Sequence, residues 1–282
     1  MSTVTIDAKQ VAVLREKTGA GMMDCRKALI ETNADMEAAV DLLRAKGAAS
    51  AAKKAGRDAK EGVIAQAIGE GAKSGVLVEV NCETDFVAKN ESFQAMTAGW
   101  ASTLVAAPAT DLEPSRIEAV AKLGENIQIR RHARLEVSGS GLVAAYIHLG
   151  GKIGVLLEVG AGNDATVAHE DFKQLVRDIT LHIAAASPVS IRREQVAPEL
   201  VERERAIYRE QTPKDKAPAM IEKIIDGKMS KFYATVCLLE QQFVKNPEST
   251  IKALVEEKSK ALGDTIEIRN FLRYQVGEEI VG

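Results

Sequence analysis

The chain contains an internal repeat, which limits its folds to those that build one unit twice. Residues 141–159 align without gaps to residues 62–80, an offset of 79. The aligned pairs are identical at Gly62, Ala65, Ile68, Gly71, Lys73, Gly75, Val76, Leu77, Glu79 and Val80. The offset holds into two apolar stripes of helical spacing, Phe93, Met96, Trp100, Leu104 and Phe172, Leu175, Ile179, Ile183. Each repeat is therefore predicted to fold as strand, glycine turn, strand, loop and helix.

A second pair of similar segments shows that the later repeat carries an insertion. Residues 123–137 resemble residues 262–276, and each segment predicts a third strand. The offset here is 139 rather than 79, so about 60 residues are inserted after the long helix that ends near Ala186. Pro198 suits a first helical position, and the prolines between residues 212 and 218 break the helical pattern. We predict two antiparallel helices that form an arm, able to contact a partner or a second copy of the chain.

The first residues of the chain indicate a separate helical module. Residues 4–47 have the pattern of three short helices, with a stop predicted at Gly47. The predicted N-caps are Asp7, in a capping box with Gln10, then Asp24 and Asp35. Residues 48–60 are rich in Ala, Lys and Arg, which predicts a solvated linker that can be helical.

These patterns together predict an α+β protein. A three-helix module is followed by a duplicated unit, a three-stranded antiparallel sheet with helices, and the arm is inserted in the second unit. The predicted divisions are 1–54 for the module, 55–140 for core subdomain N, 141–187 with 241–282 for core subdomain C, and 188–240 for the arm.

Charge and composition exclude several classes of protein. The 282 residues include 37 Lys and Arg against 40 Asp and Glu, a net charge of −3, which argues against direct nucleic-acid binding. The sequence has neither an apolar run long enough to span a membrane nor a signal-peptide core, so we expect a cytoplasmic protein. The scattered cysteines Cys25, Cys82 and Cys237 predict buried, reduced thiols.

Motifs that carry chemistry are missing from the sequence. The run Gly150-Gly151-Lys152 fails as a phosphate-binding loop because Tyr146 and Ile153 stand where Gly and Ser or Thr are needed. The histidines, His132, His148, His169 and His182, lack metal-ligand spacing. We therefore predict no catalytic residue, no metal and no cofactor, and a protein that works by binding.

Two places are candidate contacts. Phe86 follows a strand within a polar segment, whereas its repeat partner is Ala165, so Phe86 either plugs its own unit or points at a partner. Asp85 is matched by Asp164, which suggests a shared capping or turn role. A glycine turn precedes Met22 and Met23, which either fill a small core or are presented to a partner.

Three stretches resemble the elongation factor Ts family of bacterial translation factors. They are TGAGMMDCRKAL (residues 18–29), NCETDFVAK (81–89) and GENIQIRR (124–131), and the resemblance covers nearly the whole chain. It implies a ubiquitin-associated-like fold for residues 1–54 and a coiled-coil or dimerisation role for the arm. We expect this chain to lack the C-terminal helical module that some members of the family carry. The contacts implied with the GTPase elongation factor Tu are Met22, Met23, Thr84, Asp85, Phe86, Val87, Leu123, Gly124 and His148.

The activity that this resemblance implies is exchange of GDP for GTP on elongation factor Tu without covalent chemistry. Phe86 is expected to enter the GTPase domain with Asp85 beside it and to displace groups that hold Mg²⁺, which anchors the phosphates. Two alternatives remain at the level of sequence. One is a structural or assembly protein that dimerises through the arm, and the other is an enzyme whose site forms only in the fold.

Overall fold

The computed structural model describes residues 6–213, 215 and 217–280. Residues 1–5, 281 and 282, at the outer ends of the predicted domains, lie outside these ranges, as do residues 214 and 216 in the predicted break of the arm. The description begins with three helices: α1 (Ala8–Thr18), α2 (Met22–Glu31) and α3 (Met36–Lys54). They enclose a small core that includes Val11, Leu14, Cys25 and Leu29. The predicted helical module is confirmed in these residues.

The ends of these helices test the predicted caps. Asp7 begins α1 with its capping box to Gln10, whose side chain accepts the Asp7 N–H at 3.1 Å. Asp35 accepts hydrogen bonds from the backbone of the first turn of α3. The prediction for Asp24 is wrong, because α2 begins earlier, with Gly21 as its N-cap, and Asp24 lies inside the first turn. There its negative charge still interacts favourably with the positive end of the helix dipole.

Helix α3 does not stop at Gly47, and the predicted solvated linker is largely helix. Gly47 is buried, and a Cβ added there would lie 3.6 Å from Ala121 and 3.8 Å from Ile117 in α6 (Glu113–Leu123). Ala51 lies in the core of the first unit. The small residues of α3 therefore let it pack closely on α6, and this packing carries the helix past its glycine.

The duplicated unit is confirmed as two three-stranded antiparallel sheets. The first has the order β1 (Glu61–Ile68), β2 (Ser74–Cys82), β3 (Gln128–Glu136), and the second has the order β4 (Gly141–His148), β5 (Ile153–Ala161), β8 (Ile266–Gln275). Both sheets contain a register shift at the same repeat position, between Glu79 and Val80 and between Glu158 and Val159. The repeat in sequence is therefore a repeat in backbone geometry.

The two sheets pack against each other, and helices cover their outer faces. Ile64, Leu77, Val143 and Leu156 form part of the core between the sheets. Gly75 permits this approach, since a Cβ there would come within 2.8 Å of Leu156 and Val143. The outer faces pack on α5 (Glu91–Ala106) and α6 in the first unit, and on α8 (Glu170–Ala186) and α11 (Ile251–Leu262) in the second.

A buried ion network joins the first sheet to the end of β8. Glu79 is fully buried and accepts from Arg130 Nη1 at 2.9 Å and from Arg131 Nε at 2.7 Å. It also accepts the Gly277 N–H at 3.0 Å. Arg131 reaches the Glu278 carboxylate at 2.6 Å, so the segment after β8 is held against β2 and β3.

The predicted arm is present as α9 (Pro198–Glu210) and α10 (Pro218–Val236), each with proline at its first position. Ile225 and Met229 of α10 are buried. The flanking segments belong to the second unit, because Ile191 and Leu238 lie in its core. A short hairpin, β6 (Gln242–Phe243) and β7 (Asn246–Thr250), leads into α11. No helix in the described residues is long and apolar enough to cross a membrane.

Candidate functional site

The segment after β2 is a one-turn helix rather than the predicted loop. This helix, α4 (Asp85–Ala88), lies between β2 and α5. Its N-cap is Thr84, whose hydroxyl oxygen accepts the Val87 N–H at 3.3 Å. The second repeat has the equivalent helix, α7 (Asp164–Ala168), capped by Asn163. The capping residue is therefore the one before Asp85, and Asp85 occupies the first helical position.

Helix α4 exposes one large apolar side chain. Phe86 is 82% exposed, whereas Val87 packs against the core of the first unit and Ala88 is buried. An aromatic ring in water forfeits the burial that usually stabilises it, roughly 1.5 to 3 kcal/mol. The interpretation of Phe86 as a plug for its own unit is wrong. Its geometry is that of a side chain available to another molecule.

The charge beside Phe86 is paired within α4. Asp85 Oδ2 accepts from Lys89 Nζ at 2.7 Å, one helical turn away. This hydrogen bond and the positive charge of Lys89 hold the pKa of Asp85 below its ordinary value of 3.8. Asp85 is therefore a solvated carboxylate that is ionised at neutral pH.

The two sequence segments predicted as contacts meet through one residue that the sequence reasoning missed. Glu125 Oε1 accepts from the Thr84 hydroxyl at 2.6 Å, and its Oε2 accepts from the backbone N–H groups of Glu83 and Thr84, both at 3.0 Å. Glu125 directly follows Leu123 and Gly124, at the end of α6. The predicted contacts at the ends of β2 and α6 are thus parts of one surface.

Glu83 extends this network to the residues after α3. Its Oε1 accepts the Asn126 N–H at 2.6 Å and lies 3.4 Å from Arg57 Nη1. The Asn126 amide donates to the Arg57 carbonyl at 2.8 Å. The segment that leads from the N-terminal module into β1 is therefore tied to the residues on both sides of α4.

The thiol of Cys82, close to α4, is unreactive at neutral pH. Cys82 is buried at the end of β2, and its Sγ donates to the Thr84 carbonyl at 3.2 Å. Burial, with the negative charge of Glu125, raises the pKa of Cys82 to about 12. The thiolate is the reactive form of cysteine, so Cys82 is not a nucleophile at neutral pH.

His148 lies at the end of β4 and stacks with Tyr146, whose hydroxyl is 3.0 Å from His148 Nδ1. The turn after it crosses to the first sheet, because Lys152 Nζ contacts Glu61 Oε2 at 2.6 Å. Glu61 is the register partner of Cys82, the last residue of β2. The His148 turn therefore reaches the end of the first sheet from which α4 begins, and it exposes Leu149 there.

Met22 and Met23 begin α2 and are 53% and 60% exposed, so they do not fill the core of the module. The turn before them lies beside the first unit. Thr18 and Gly19 line a cleft of about 290 Å³ together with Leu123 at the end of α6. The structure thus brings the turn before the methionines to the segment that contains Leu123 and Gly124.

The side chains that distinguish this arrangement are exposed and apolar. Within residues 6–213, 215 and 217–280, no group of three or more His, Cys, Asp or Glu side chains could hold a metal ion. The chemically distinctive elements are exposed apolar side chains, Met22, Met23, Phe86 and Leu149, on a scaffold fixed by hydrogen bonds. Such a surface suits contact with a protein rather than transformation of a small molecule.

Comparison with known proteins places the chain among the translation elongation factors. The family model described as elongation factor Ts matches residues 83–278. The chain is 46% identical to elongation factor Ts of Symbiobacterium thermophilum, covering 98% of this chain and 93% of that protein. It is 43% identical to the elongation factor Ts of Clostridium botulinum and 44% identical to that of Sinorhizobium medicae, each over 98% of this chain and 94% of the relative. The chain belongs to the elongation factor Ts family.

The internal repeat contained a signal for Glu125. In the second repeat Asp264 stands at the position of Glu125, and its Oδ2 accepts from the Asn163 N–H at 3.2 Å and from Asn163 Nδ2 at 3.0 Å. Asn163 and Thr84 are equivalent capping residues, at the offset of 79. A carboxylate that recurs after Leu-Gly in both repeats indicates one structural task performed twice.

Proposed function

We propose that this chain is a guanine nucleotide exchange factor that promotes the release of GDP from elongation factor Tu. The observation that carries the proposal is the exposure of Phe86 on a one-turn helix whose capping residue, Thr84, is hydrogen-bonded to Glu125. Membership of the elongation factor Ts family supports the choice of elongation factor Tu as the partner. The chain catalyses no covalent step in this proposal and requires no cofactor of its own.

The driving force for release is binding energy. A factor that binds the nucleotide-free GTPase more tightly than the GDP-bound form weakens GDP by the same ratio, at about 1.4 kcal/mol for each tenfold. The factor must then leave when GTP enters, so its preference for the nucleotide-free form has an upper limit. A surface of a few projecting side chains suits such a transient complex better than a large apolar interface does.

In the proposed mechanism, Phe86 enters the GTPase domain of elongation factor Tu, and Thr84, Asp85 and Val87 accompany it as parts of α4. Insertion of the ring displaces groups of the partner that hold its Mg²⁺. Loss of that ion removes the positive charge that anchors the phosphates of GDP. The scaffold supports this proposal because Phe86 pays no penalty for leaving a core of its own.

Further contacts with the partner are proposed at Met22, Met23, Leu123, Gly124 and His148, the last beside exposed Leu149. The proposed division of the chain keeps residues 1–54 as a module that adds affinity, and residues 55–140 with 141–187 and 241–282 as the duplicated core. Residues 188–240 remain the proposed insertion, but only residues 198–236 form the arm, because Ile191 and Leu238 on either side of it pack in the core of the second unit. The arm exposes Met220 and is the proposed surface for a homodimer. The working place of the factor is the cytoplasm, with no direct contact to nucleic acid or membrane.

The deciding experiment is the release of labelled GDP from purified elongation factor Tu. The chain at a concentration well below that of the GTPase should accelerate release over many turnovers in the presence of excess unlabelled nucleotide. A chain that binds elongation factor Tu without accelerating release would contradict exchange activity. A chain that does not bind it would contradict the choice of partner.

A further inference from the structure

The carboxylate of Glu125 binds Thr84, the residue that caps α4. Glu125 receives three hydrogen bonds, from the Thr84 hydroxyl at 2.6 Å and from the N–H groups of Glu83 and Thr84, both at 3.0 Å. Hydrogen bonds to an ionised acceptor are stronger than those between neutral groups. The same Thr84 hydroxyl oxygen caps α4 through the Val87 N–H. Glu125 therefore controls the geometry of the first turn that contains Phe86.

We propose that Glu125 is a positioning residue for nucleotide exchange, which holds α4 in the orientation that keeps Phe86 exposed. This inference rests on the proposed function, because it assigns a role to a residue behind the contacting surface. Glu125 acts through Thr84 and α4, and its carboxylate is occupied by the chain itself. The direction in which Phe86 projects depends on the orientation of α4, because Phe86 is the second residue of that helix.

The direction of the Glu125 side chain depends on the preceding glycine. Gly124 ends α6 in the left-handed conformation, with φ of 79°. A Cβ added at Gly124 would meet nothing within 4 Å, so the position needs glycine for its backbone and not for space. This left-handed turn redirects the chain after α6 and brings Glu125 to Thr84. Gly124 thus has a conformational role in the same device.

The second repeat contains the same device without the aromatic side chain. Gly263 ends α11 with φ of 62°, and Asp264 then accepts hydrogen bonds from Asn163, the capping residue of α7. The position equivalent to Phe86 is Ala165. The carboxylate of Asp264 therefore stabilises a helix start that presents no large apolar side chain. It provides a matched control within the same molecule.

Removing the charge of Glu125 should loosen α4 and leave the fold intact. The neighbouring hydrogen bonds from Asn126 to Glu83 and to the Arg57 carbonyl do not involve the Glu125 carboxylate. In Glu125→Gln the side chain keeps its size and one acceptor oxygen, but the negative charge that strengthens the three hydrogen bonds is lost and the amide nitrogen cannot accept from the Thr84 hydroxyl. The loss of stability should be confined to the start of α4, because Val87 and Ala88 at its other end remain packed on the core.

The experiment compares the full-length chain with Glu125→Gln, Asp264→Asn and Phe86→Ala. Hydrogen–deuterium exchange of peptides that cover residues 83–88 and 162–168 reports the two helix starts. Labelled-GDP release from elongation factor Tu, at equal concentrations of folded factor, reports activity. We expect Glu125→Gln to expose the amides of residues 83–88 to faster deuteration and to slow the release rate at saturating factor by about tenfold. Asp264→Asn should accelerate deuteration of residues 162–168 and leave GDP release unchanged.

Each other outcome overturns a distinct statement. Faster deuteration around α4 in Glu125→Gln with a wild-type release rate would show that the orientation of α4 does not matter. Unchanged deuteration would show that Glu125 does not hold α4. If GDP release slows equally in Glu125→Gln and Asp264→Asn, both carboxylates act only through the overall stability of the protein, and the positioning role of Glu125 is wrong. If the wild-type chain fails to accelerate release, the proposed function fails and this inference fails with it, whereas activity lost in Phe86→Ala but kept in Glu125→Gln refutes the inference alone.

Discussion

Phe86 and Ala165 occupy the same position in the two repeats, the second residue of a one-turn helix that follows the middle strand of its sheet. Both repeats have the same strands, a register shift at the same position, a capping residue at the same position and a carboxylate that binds this capping residue. They differ in this side chain, and the aromatic of the first repeat is exposed. Because the second repeat builds the same helix with alanine, the scaffold does not need the ring of Phe86.

Replacement of Phe86 by alanine should therefore reduce exchange without reducing stability. Truncating a central aromatic anchor of an interface costs about 2 kcal/mol or more, so stimulated GDP release at limiting factor should slow by about tenfold to a hundredfold. Asp85→Ala should cost less, because its charge is exposed to solvent. Val244→Ala, at an exposed apolar position of the β6–β7 hairpin, is the control. A sharp fall in melting temperature for Phe86→Ala would mean that the ring of Phe86 stabilises the fold and would contradict this prediction.

A truncated chain that begins at Gly56 should fold with reduced stability. The truncation removes the part of α3 that packs on Ile117 and Ala121 and takes Ala51 out of the core of the first unit. A chain that begins at Gly47 keeps this packing and should recover most of the lost stability. Thermal unfolding followed by circular dichroism distinguishes the two. Equal melting temperatures would mean that the contact of α3 with α6 contributes little.

Excision of the arm should leave a cooperatively folded protein if the flanking segments that pack in the second unit are kept. Removing residues 198–236 and joining the ends through a short glycine linker keeps Ile191 and Leu238 in the core. A larger excision, of residues 188–240, also removes those two side chains. Burial of such a side chain stabilises by roughly 1.5 to 3 kcal/mol, so the larger excision should unfold at lower denaturant. Loss of a cooperative transition in the smaller excision would make the arm part of the core.

Stability should fall as the pH drops through the range in which His182 titrates. This fully buried imidazole accepts the Val244 N–H at Nδ1, 3.3 Å away, and its Nε2 is 3.0 Å from Gln241 Oε1, so the ring is neutral with its proton on Nε2. Burial lowers the pKa of His182 below its ordinary value of 6.5. The unfolded chain therefore binds a proton at a higher pH than the folded chain does. The stabilisation is complete above pH 6.5 and is lost as the pH falls towards the folded pKa.

Urea unfolding between pH 5 and 8 measures this dependence. The slope of unfolding free energy against pH below 6.5 should shrink in His182→Gln and should persist in His169→Gln, which replaces an exposed histidine. The same slope in both variants would assign the effect to other groups. The expected direction follows because burial is the largest cause of the lowered pKa of His182, and its hydrogen-bond partners, the Gln241 amide and the Val244 backbone, carry no charge.

Glu79→Ala should be among the most destabilising single substitutions. It leaves the half-buried guanidinium groups of Arg130 and Arg131 without their carboxylate and removes the acceptor of the Gly277 N–H. Breaking a buried pair typically costs about 3 to 5 kcal/mol. Glu31→Ala, which removes the exposed pair with Lys46, should cost less than about 1 kcal/mol. Denaturant unfolding of both variants checks the contrast, and equal small losses would show that water replaces the Glu79 carboxylate.

The sequence alone determined the units of this protein. Strands, their order within each repeat and the arm follow from periodicity, glycine spacing and the change of offset, because these features record which residues must lie on one face of an element. The alignment also singled out Phe86, since Ala165 stands at its repeat position. These are local patterns, and the sequence displays them directly.

The tertiary structure decided what those elements do together. It placed Glu125 against Thr84, 41 residues away along the chain, and carried α3 past Gly47 because α6 lies beneath it. It also decided that Phe86 is exposed and that its segment is a helix capped by Thr84. Hydrogen bonds and close packing between distant segments form only when the fold brings them within a few ångströms. Neither periodicity nor composition encodes that distance.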